Sequence, residues 1–98
     1  MTMIARQYVM VAKPGEAAAL RTALVTLAAN IQQMEGCLGT DLLRDAGQPE
    51  RFVLIERWAS IDAHTAGGKQ LPKEAFAPVM AAVMGTPEAR DLEYLPLA

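Results

Sequence analysis

The sequence predicts an α+β domain in which a four-stranded antiparallel sheet carries its helices on one face. A long helical repeat of apolar residues follows the first β-like run, and two further β-like runs flank a turn-rich segment of hairpin length. Shorter helical segments then precede a last alternating run, which gives the order βαββαβ. With 98 residues the chain is long enough for one domain and too short for two, so we expect residues 1–98 to form a single domain.

A strand followed by a helix opens the predicted fold. Residues 4–12 are rich in β-branched and aromatic side chains and are apolar on both faces, so the second face needs a cover. Residues 13–15, Lys-Pro-Gly, predict a turn, and residues 16–34 predict the clearest helix. Gly36 is expected to end this helix as a left-handed cap, because glycine takes a positive φ without steric cost. The apolar residues at helical spacing are Leu20, Leu24, Leu27 and Ile31.

The middle of the sequence predicts a β-hairpin. Residues 37–44 and 51–58 are strand-like runs, and residues 45–50 form a turn-rich segment of the length that a hairpin loop takes. A register that pairs Arg44 with Arg51 gives a mixed face and a purely aliphatic face, and we expect the aliphatic one to face the core. The mixed face carries Cys37, Gly39, Asp41, Leu43, Phe52, Leu54, Glu56 and Trp58, and the aliphatic face carries Leu38, Leu42, Val53 and Ile55.

Two shorter helices and a strand complete the prediction. Ser60 is a good N-cap for a helix that runs to about residue 66, where two glycines are expected to end it. A third helix is predicted over roughly residues 73–84, although Pro78 would kink or divide it. Residues 89–95 alternate in a way that is typical of a half-exposed edge strand. The apolar stripe of the third helix consists of Phe76, Val79, Met80 and Val83.

Composition and charge exclude several classes of protein. The formal net charge is −2 and the basic residues are scattered, so the chain lacks the basic surface that nucleic acid or an anionic membrane requires. One cysteine and one histidine cannot supply a closed zinc site, and we expect no metal. The sequence also lacks a phosphate-binding loop and a Ser-His pair in the context of a hydrolase triad.

The sequence predicts a cytoplasmic protein. Charged residues interrupt every apolar stretch well before the ~18 residues of a membrane span, and residues 1–13 lack the basic start and apolar run of a signal peptide. Cys37 is the single cysteine, so no intrachain disulfide can form, which suits a reducing compartment.

Five short motifs, taken in order, resemble one known family. They are Lys13-Pro14-Gly15, Glu35-Gly36-Cys37-Leu38-Gly39, Leu43-Arg44-Asp45, the run Arg-Phe-Val-Leu-Ile-Glu-Arg-Trp at residues 51–58, and Ala63-His64. Their order and spacing are similar to those of the antibiotic-biosynthesis monooxygenase family over most of the chain. The resemblance implies a ferredoxin-like domain that forms a homodimer by packing two sheets face to face into a dimeric α+β barrel. The partner's sheet would then cover the second apolar face of the strands.

The same resemblance implies a cofactor-independent monooxygenase that oxidises a quinol-like or polyketide aromatic substrate with O₂. The substrate loses a proton and passes an electron to O₂, while the protein supplies binding, deprotonation and a dry site. Haem-degrading relatives carry an iron-ligating histidine near the position of Gly67-Gly68-Lys69, and anthrone-oxidising relatives carry an amide at the position of Leu54. The missing histidine argues against haem degradation, and the missing amide argues against anthrone oxidation. We expect no haem, flavin or metal cofactor, because the sequence has no second histidine, no dinucleotide-binding fingerprint and no cluster of ligands at metal spacing. The alternative function is a non-catalytic dimeric domain that binds a small hydrophobic ligand.

Three residues are candidates for the chemistry. The Trp58 ring would stack on a flat substrate and its N–H would donate to a developing phenolate, with core packing as the alternative role. His64, with an ordinary pKa of about 6.5, would accept the phenolic proton, or else be a surface or capping histidine. Glu56 points the same way as Trp58 and is a second candidate base, with a structural ion pair to an arginine as its alternative. Candidates for binding the substrate are Gln7, Leu54, Phe76, Met80 and Tyr94, with core packing or backbone hydrogen bonding as their alternative roles.

Overall fold

The computed structural model describes residues 2–97 and has the α+β architecture that the sequence predicts. The elements are β1 (Ile4–Val11), α1 (Ala17–Gln32), β2 (Cys37–Arg44), β3 (Arg51–Trp58), α2 (Ile61–Gln70), a 3₁₀ turn (Lys73–Ala75), α3 (Ala77–Ala82) and β4 (Glu88–Glu93). The strands form one sheet in the order β2-β3-β1-β4, and each neighbouring pair is antiparallel. Met1 and Ala98, which belong to the expected single domain, lie outside the described residues.

The core lies between α1 and one face of the sheet, which we call the inner face. Along β3 every second residue is buried, and these buried residues point to the inner face. α1 packs its apolar stripe against them, with Leu20 and Leu24 fully buried. Burying a leucine contributes roughly 1.5–3 kcal/mol, so this stripe holds α1 in place even though its N-cap residue makes no side-chain hydrogen bond. The inner-face residues of β3 are Phe52, Leu54, Glu56 and Trp58.

The hairpin register differs by one residue from the predicted one. Asp45, not Arg44, lies opposite Arg51, and its backbone N–H donates to the Arg51 carbonyl over 2.9 Å. The cause is the turn, because one Asp45 carboxylate oxygen accepts hydrogen bonds from the N–H groups of Gly47 (2.7 Å) and Gln48 (3.1 Å). The closing pair of the hairpin is therefore Asp45 and Arg51, with five residues between them, although both strands keep the predicted bounds.

This shift exchanges the two faces of β2. Leu42 pairs with Leu54 on the inner face, whereas Asp41 and Leu43 lie on the opposite, outer face. The prediction of an aliphatic core face is therefore wrong. The even-numbered residues of β3 lie in the core, and the aliphatic residues that β3 places on the outer face are Val53 and Ile55.

A β-bulge near the start of β2 restores one predicted pair. The register shifts between Cys37 and Gly39, so Cys37 lies opposite Trp58 as predicted, while Gly39 pairs with Arg57. Leu38 is the extra residue of the bulge and is 53% exposed, although the sequence pattern predicts it in the core. The bulge thus lets one strand begin in the predicted register and continue in another.

α2 is longer than predicted because its two glycines do not end it. Ser60 caps the helix as expected, since its hydroxyl accepts the backbone N–H of Ala63 over 3.1 Å. The helix continues through Gly67 and Gly68 to Gln70. A Cβ at residue 67 would lie 2.7 Å from the Trp58 ring, so glycine is required there for close packing against the indole.

The segment after α2 is divided, as Pro78 suggested. A 3₁₀ turn precedes α3, and Pro78 lies in the first turn of α3, where its missing N–H is tolerated. Only half of the predicted apolar stripe reaches the core, because Phe76 and Met80 are 38% and 51% exposed. The stripe residues in the core are Val79 and Val83.

The last strand, β4, is shorter than predicted at its end. It ends at Glu93, two residues before the predicted end, and all its residues are exposed.

α1 is the longest helix and stops earlier than predicted. It ends at Gln32, and Gly36 lies beyond it in the turn that leads to β2, where it takes the positive φ of 84° that only glycine adopts freely. Within residues 2–97, the helices are all too short or too polar to span a membrane.

Candidate active site

A small pocket lies between the inner face of the sheet and α2. β1 and β3 form one wall, α2 and the residues after it form the other, and the end of α1 closes one side. The free volume is about 40 Å³. The lining residues are Tyr8, Ile31, Met34, Glu56, Trp58, His64, Gly67, Gly68, Leu71 and Phe76.

Trp58 ends β3 with its ring between the sheet and α2. The side chain is 1% exposed, and its indole N–H donates to Glu56 Oε1 over 2.9 Å. The two side chains lie two residues apart on one strand and therefore share the inner face. The predicted donation of this N–H to a substrate phenolate competes with the bond to Glu56, whereas the ring itself lines the pocket.

Glu56 is a carboxyl group buried in a largely apolar site. Burial raises its pKa above the usual value, and the hydrogen bond from Trp58 and the positive charge of Arg6 act in the opposite direction. The alternative of an arginine ion pair does not hold within the described residues, because Arg6 bonds to Tyr8 and Asp91 instead. A carboxyl group with a raised pKa exchanges its proton nearer to neutral pH, which suits acid-base chemistry.

His64 lies one turn into α2 and faces the Trp58 ring. Its backbone N–H donates to the Ser60 carbonyl over 3.2 Å, so the capped start of the helix sets the direction of the imidazole. The two ring centroids are 5.6 Å apart in an edge-on arrangement with an interplanar angle of 73°. Burial lowers the pKa of His64, and the positive charge of Arg6 adds to this effect. At neutral pH the imidazole is therefore uncharged and able to accept a proton.

Four of the residues expected to bind substrate lie outside the pocket lining. Leu54 is on the inner face but is packed into the core at 1% exposure. Gln7 lies on the outer face, since it alternates with the inner-face residues of β1. Met80 is half exposed on α3, and Tyr94 follows the end of β4 at 45% exposure. Of the residues predicted to bind substrate, the structure places only Phe76 beside the three predicted for chemistry.

Two polar residues of β1 that lie at this site were not predicted from the sequence. Tyr8 lines the pocket, and Arg6 lies opposite Glu56 and bonds to the Tyr8 hydroxyl. The alternation of β1 puts both on one face. Only the pairing of β1 with β3, which joins residues about fifty positions apart, shows that this face belongs to the pocket.

Replacing Glu56 by glutamine is expected to make the protein more stable at neutral pH. The native pKa of Glu56 is raised, so its contribution to stability is complete below the pKa of the unfolded chain and is lost as the pH rises through the native pKa. Glutamine keeps an oxygen that can accept the Trp58 N–H but has no proton to lose.

The measurement is the melting temperature between pH 4 and pH 8. The wild type should lose stability relative to Glu56→Gln as the pH rises, and Glu93→Gln, which removes one exposed carboxylate, controls for the change in net charge. Parallel curves for wild type and Glu56→Gln would contradict the assignment.

Solved structures share this fold over nearly the whole chain. A protein from Pseudomonas aeruginosa is 26% identical, with a TM-score of 0.85, and the match covers 98% of this chain and 97% of that one. The N63A mutant of SnoaB, a cofactor-independent oxygenase from Streptomyces nogalater, is 19% identical, with a TM-score of 0.86. That match covers 99% of this chain and 98% of SnoaB. A Mycobacterium tuberculosis protein has a TM-score of 0.85 at 23% identity and covers 99% of both chains. No curated protein sequence matches this one.

The sequence itself identifies the family. The family model described as "Antibiotic biosynthesis monooxygenase" matches residues 3–67, which is about two thirds of the chain. This match begins just before β1 and ends in α2, so it includes Glu56, Trp58 and His64. It agrees with the resemblance carried by the five sequence motifs and with the ferredoxin-like arrangement of the strands. The chain belongs to the antibiotic biosynthesis monooxygenase family.

Proposed function

We propose that this protein is a cofactor-independent monooxygenase that oxidises a quinol-like or polyketide aromatic compound with O₂. The observation that carries the proposal is that Glu56 and His64 converge on one apolar pocket beside Trp58. The alternative, a non-catalytic domain for a hydrophobic ligand, needs the apolar walls but has no use for a buried carboxyl group and a partly buried imidazole at the same pocket. The activity of SnoaB is consistent with this function in the same fold.

The proposed substrate is a phenol with a hydrogen on its para carbon. His64 accepts the phenolic proton, and the phenolate passes one electron to O₂. The phenoxyl radical and superoxide then join at the para carbon to form a peroxide. Loss of the ring hydrogen as a proton and cleavage of the O–O bond give a quinone and water, with one atom of O₂ in each product. The protein binds the ring, takes the first proton and keeps water out.

The pocket must open to admit an aromatic ring. Its free volume of about 40 Å³ is close to that of one water molecule, whereas a cavity that binds benzene measures about 150 Å³. Leu71 and Phe76 form the wall after α2, and both are partly exposed, so they are the residues whose displacement enlarges the pocket. The substrate would then lie between this wall and Trp58.

The test is O₂ uptake with 1,5-dihydroxynaphthalene and related phenols. We expect the protein to accelerate quinone formation above the autoxidation rate in buffer, and ¹⁸O₂ should leave one labelled atom in the quinone and one in water. Trp58 is the only tryptophan, so its fluorescence reports binding directly and should be quenched by the ring. Quenching without any accelerated oxidation across a panel of quinols and anthrones would favour the ligand-binding alternative.

We also propose that residues 1–98 form a single domain that works as a cytoplasmic homodimer. The outer face of the sheet carries aliphatic residues that stay partly exposed, with Leu43 at 49% and Leu92 at 40%. Val53 and Ile55 lie on the same face, and Val53 pairs with Leu43 and with Val9. A second copy of the sheet would therefore cover an apolar row across three strands, next to the polar Asp41 and Gln7 that flank Ile55. The lone Cys37 suits the reducing cytoplasm.

The homodimer should be seen by light scattering at micromolar concentration. We expect a two-fold interface that buries at least ~1,600 Å² in total, the size typical of stable assemblies. Ile55→Glu should shift the protein toward monomers, because it places a charge on the outer face. Thr26→Glu, on the exposed side of α1, is the matched control and should leave the mass unchanged. A monomeric wild type would refute the dimer.

A further inference from the structure

A hydrogen-bonded pair on β1 faces the pocket from the wall opposite α2. Tyr8 lines the pocket, and Arg6 Nε donates to its hydroxyl oxygen over 3.2 Å. Arg6 Nη1 also donates to Asp91 Oδ1 on β4 over 3.1 Å, so the guanidinium is held between two strands. Its central carbon lies 5.2 Å from the centroid of the Tyr8 ring. The proposed oxidation uses neither residue.

The direction of this hydrogen bond determines what the Tyr8 hydroxyl offers to the pocket. A guanidinium has only donors, so the Tyr8 oxygen is the acceptor and its own proton remains available. Among residues 2–97, no protein group accepts that proton in a hydrogen bond. Tyr8 therefore presents a free O–H donor at a pocket that also contains a neutral base.

We propose that the Tyr8 hydroxyl donates a hydrogen bond to the oxyanion of a phenolic or enolic ligand bound in this pocket, and that Arg6 is a positioning residue that directs this donor. The inference rests on the proposed function, because it names the group that holds the substrate oxygen after His64 has taken its proton. The substrate O–H bond breaks and its proton goes to the imidazole, while the Tyr8 O–H bond stays intact.

The surrounding charges favour an anion at this position. Arg6 is a permanent cation that bonds directly to the Tyr8 hydroxyl beside the pocket lining. Its ion-pair partner Asp91 opposes its effect on Tyr8 and His64, but the charge of Arg6 acts on both more strongly. Burial raises the pKa of Tyr8, so the hydroxyl remains protonated and remains a donor at neutral pH. Because burial raises the pKa of Glu56, more of this carboxyl is protonated at a given pH than in an exposed glutamate, which lessens its repulsion of a bound anion.

The test uses 4-nitrophenol, whose anion absorbs visible light and which serves as a binding probe without needing to be oxidised. Titration of the bound probe gives its apparent pKa, which the wild type should lower relative to free probe. Tyr8→Phe should raise that bound pKa by about one to two units, since a hydrogen bond to a charged group contributes roughly 1.5–3 kcal/mol. Tyr94→Phe, which removes the hydroxyl that lies outside the pocket lining, should leave it unchanged.

Arg6→Lys separates positioning from a direct effect of charge. Lysine keeps the charge but lacks the fork that joins Tyr8 to Asp91, so it should raise the pKa of the bound probe in the wild-type background and have little further effect in Tyr8→Phe. Equal effects in both backgrounds would overturn the positioning role. A bound pKa that is the same in wild type and Tyr8→Phe, or no binding of the probe, would overturn the donor role. If the bound pKa responds as expected but no phenol is oxidised, the proposed oxygenase function fails and the oxyanion site stands.

Discussion

Replacing His64 by alanine is expected to lower the rate of phenol oxidation by about 10²-fold or more. Removal of a positioned general base typically costs this much, and His64 is the uncharged base of the pocket at neutral pH. Because its pKa is lowered, the wild-type rate should rise with pH on the acid side of 6.5 and be level by neutral pH. The measurement is kcat against pH with 1,5-dihydroxynaphthalene.

Two further variants decide how the His64 result is interpreted. His64→Gln keeps a polar side chain beside Trp58 but cannot accept the proton, so it should lose as much activity as His64→Ala while retaining the fold. Glu56→Gln measured beside it tests the other candidate base. A loss within about threefold for both His64 variants would exclude His64 as the base, and would point to Glu56 or to ionisation of the substrate itself.

Replacing Gly67 by alanine is expected to destabilise the protein, whereas the same change at Gly68 should stabilise it. A Cβ at residue 67 would lie 2.7 Å and 3.1 Å from two carbons of the Trp58 ring, and 3.2 Å from Met34 Sδ. The flexible methionine can move, but the indole is buried and bonded to Glu56. At residue 68 a Cβ meets nothing within 4 Å.

The two glycines form a matched pair because helix propensity acts on both. Alanine in a helix is favoured over glycine by about 1 kcal/mol, and this gain largely cancels in the comparison. The remaining difference in the free energy of unfolding between the two variants measures the overpacking against Trp58, which costs about 1–3 kcal/mol. In a domain of this size 1 kcal/mol corresponds to roughly 4–8 °C in melting temperature. Equal melting temperatures for Gly67→Ala and Gly68→Ala would show that Trp58 moves freely.

The strands of the hairpin were predictable because their signals are local. β2 and β3 have the predicted bounds, since β-branched runs and a turn-rich segment mark them in the sequence. Their relative register was not predictable from that pattern. It depends on the Asp45 carboxylate that closes the loop and on the bulge between Cys37 and Gly39, and either feature alone moves a strand by one residue.

The candidate site was predictable only on the side formed by consecutive elements. Trp58 ends a strand and Ser60 caps the next helix. Glu56, Trp58 and His64 lie within nine residues of one another in the sequence, so their proximity in space could be predicted from these local signals. Tyr8 belongs to a distant strand, and no local pattern says which of its faces meets β3. Long-range pairing of this kind is set by the complete fold.

The pocket depends on β4, the edge strand whose residues are all exposed to solvent. All six of its residues are exposed and four are charged, a composition that hinders pairing with the edge of another molecule. With so little buried surface, the strand should open locally at a lower free energy than β1 or β3 and exchange its amide hydrogens sooner. Asp91, which anchors Arg6, lies on this strand. Brief detachment of the sheet edge would therefore release the guanidinium and change the electrostatic field at Tyr8 and His64 without disturbing the core.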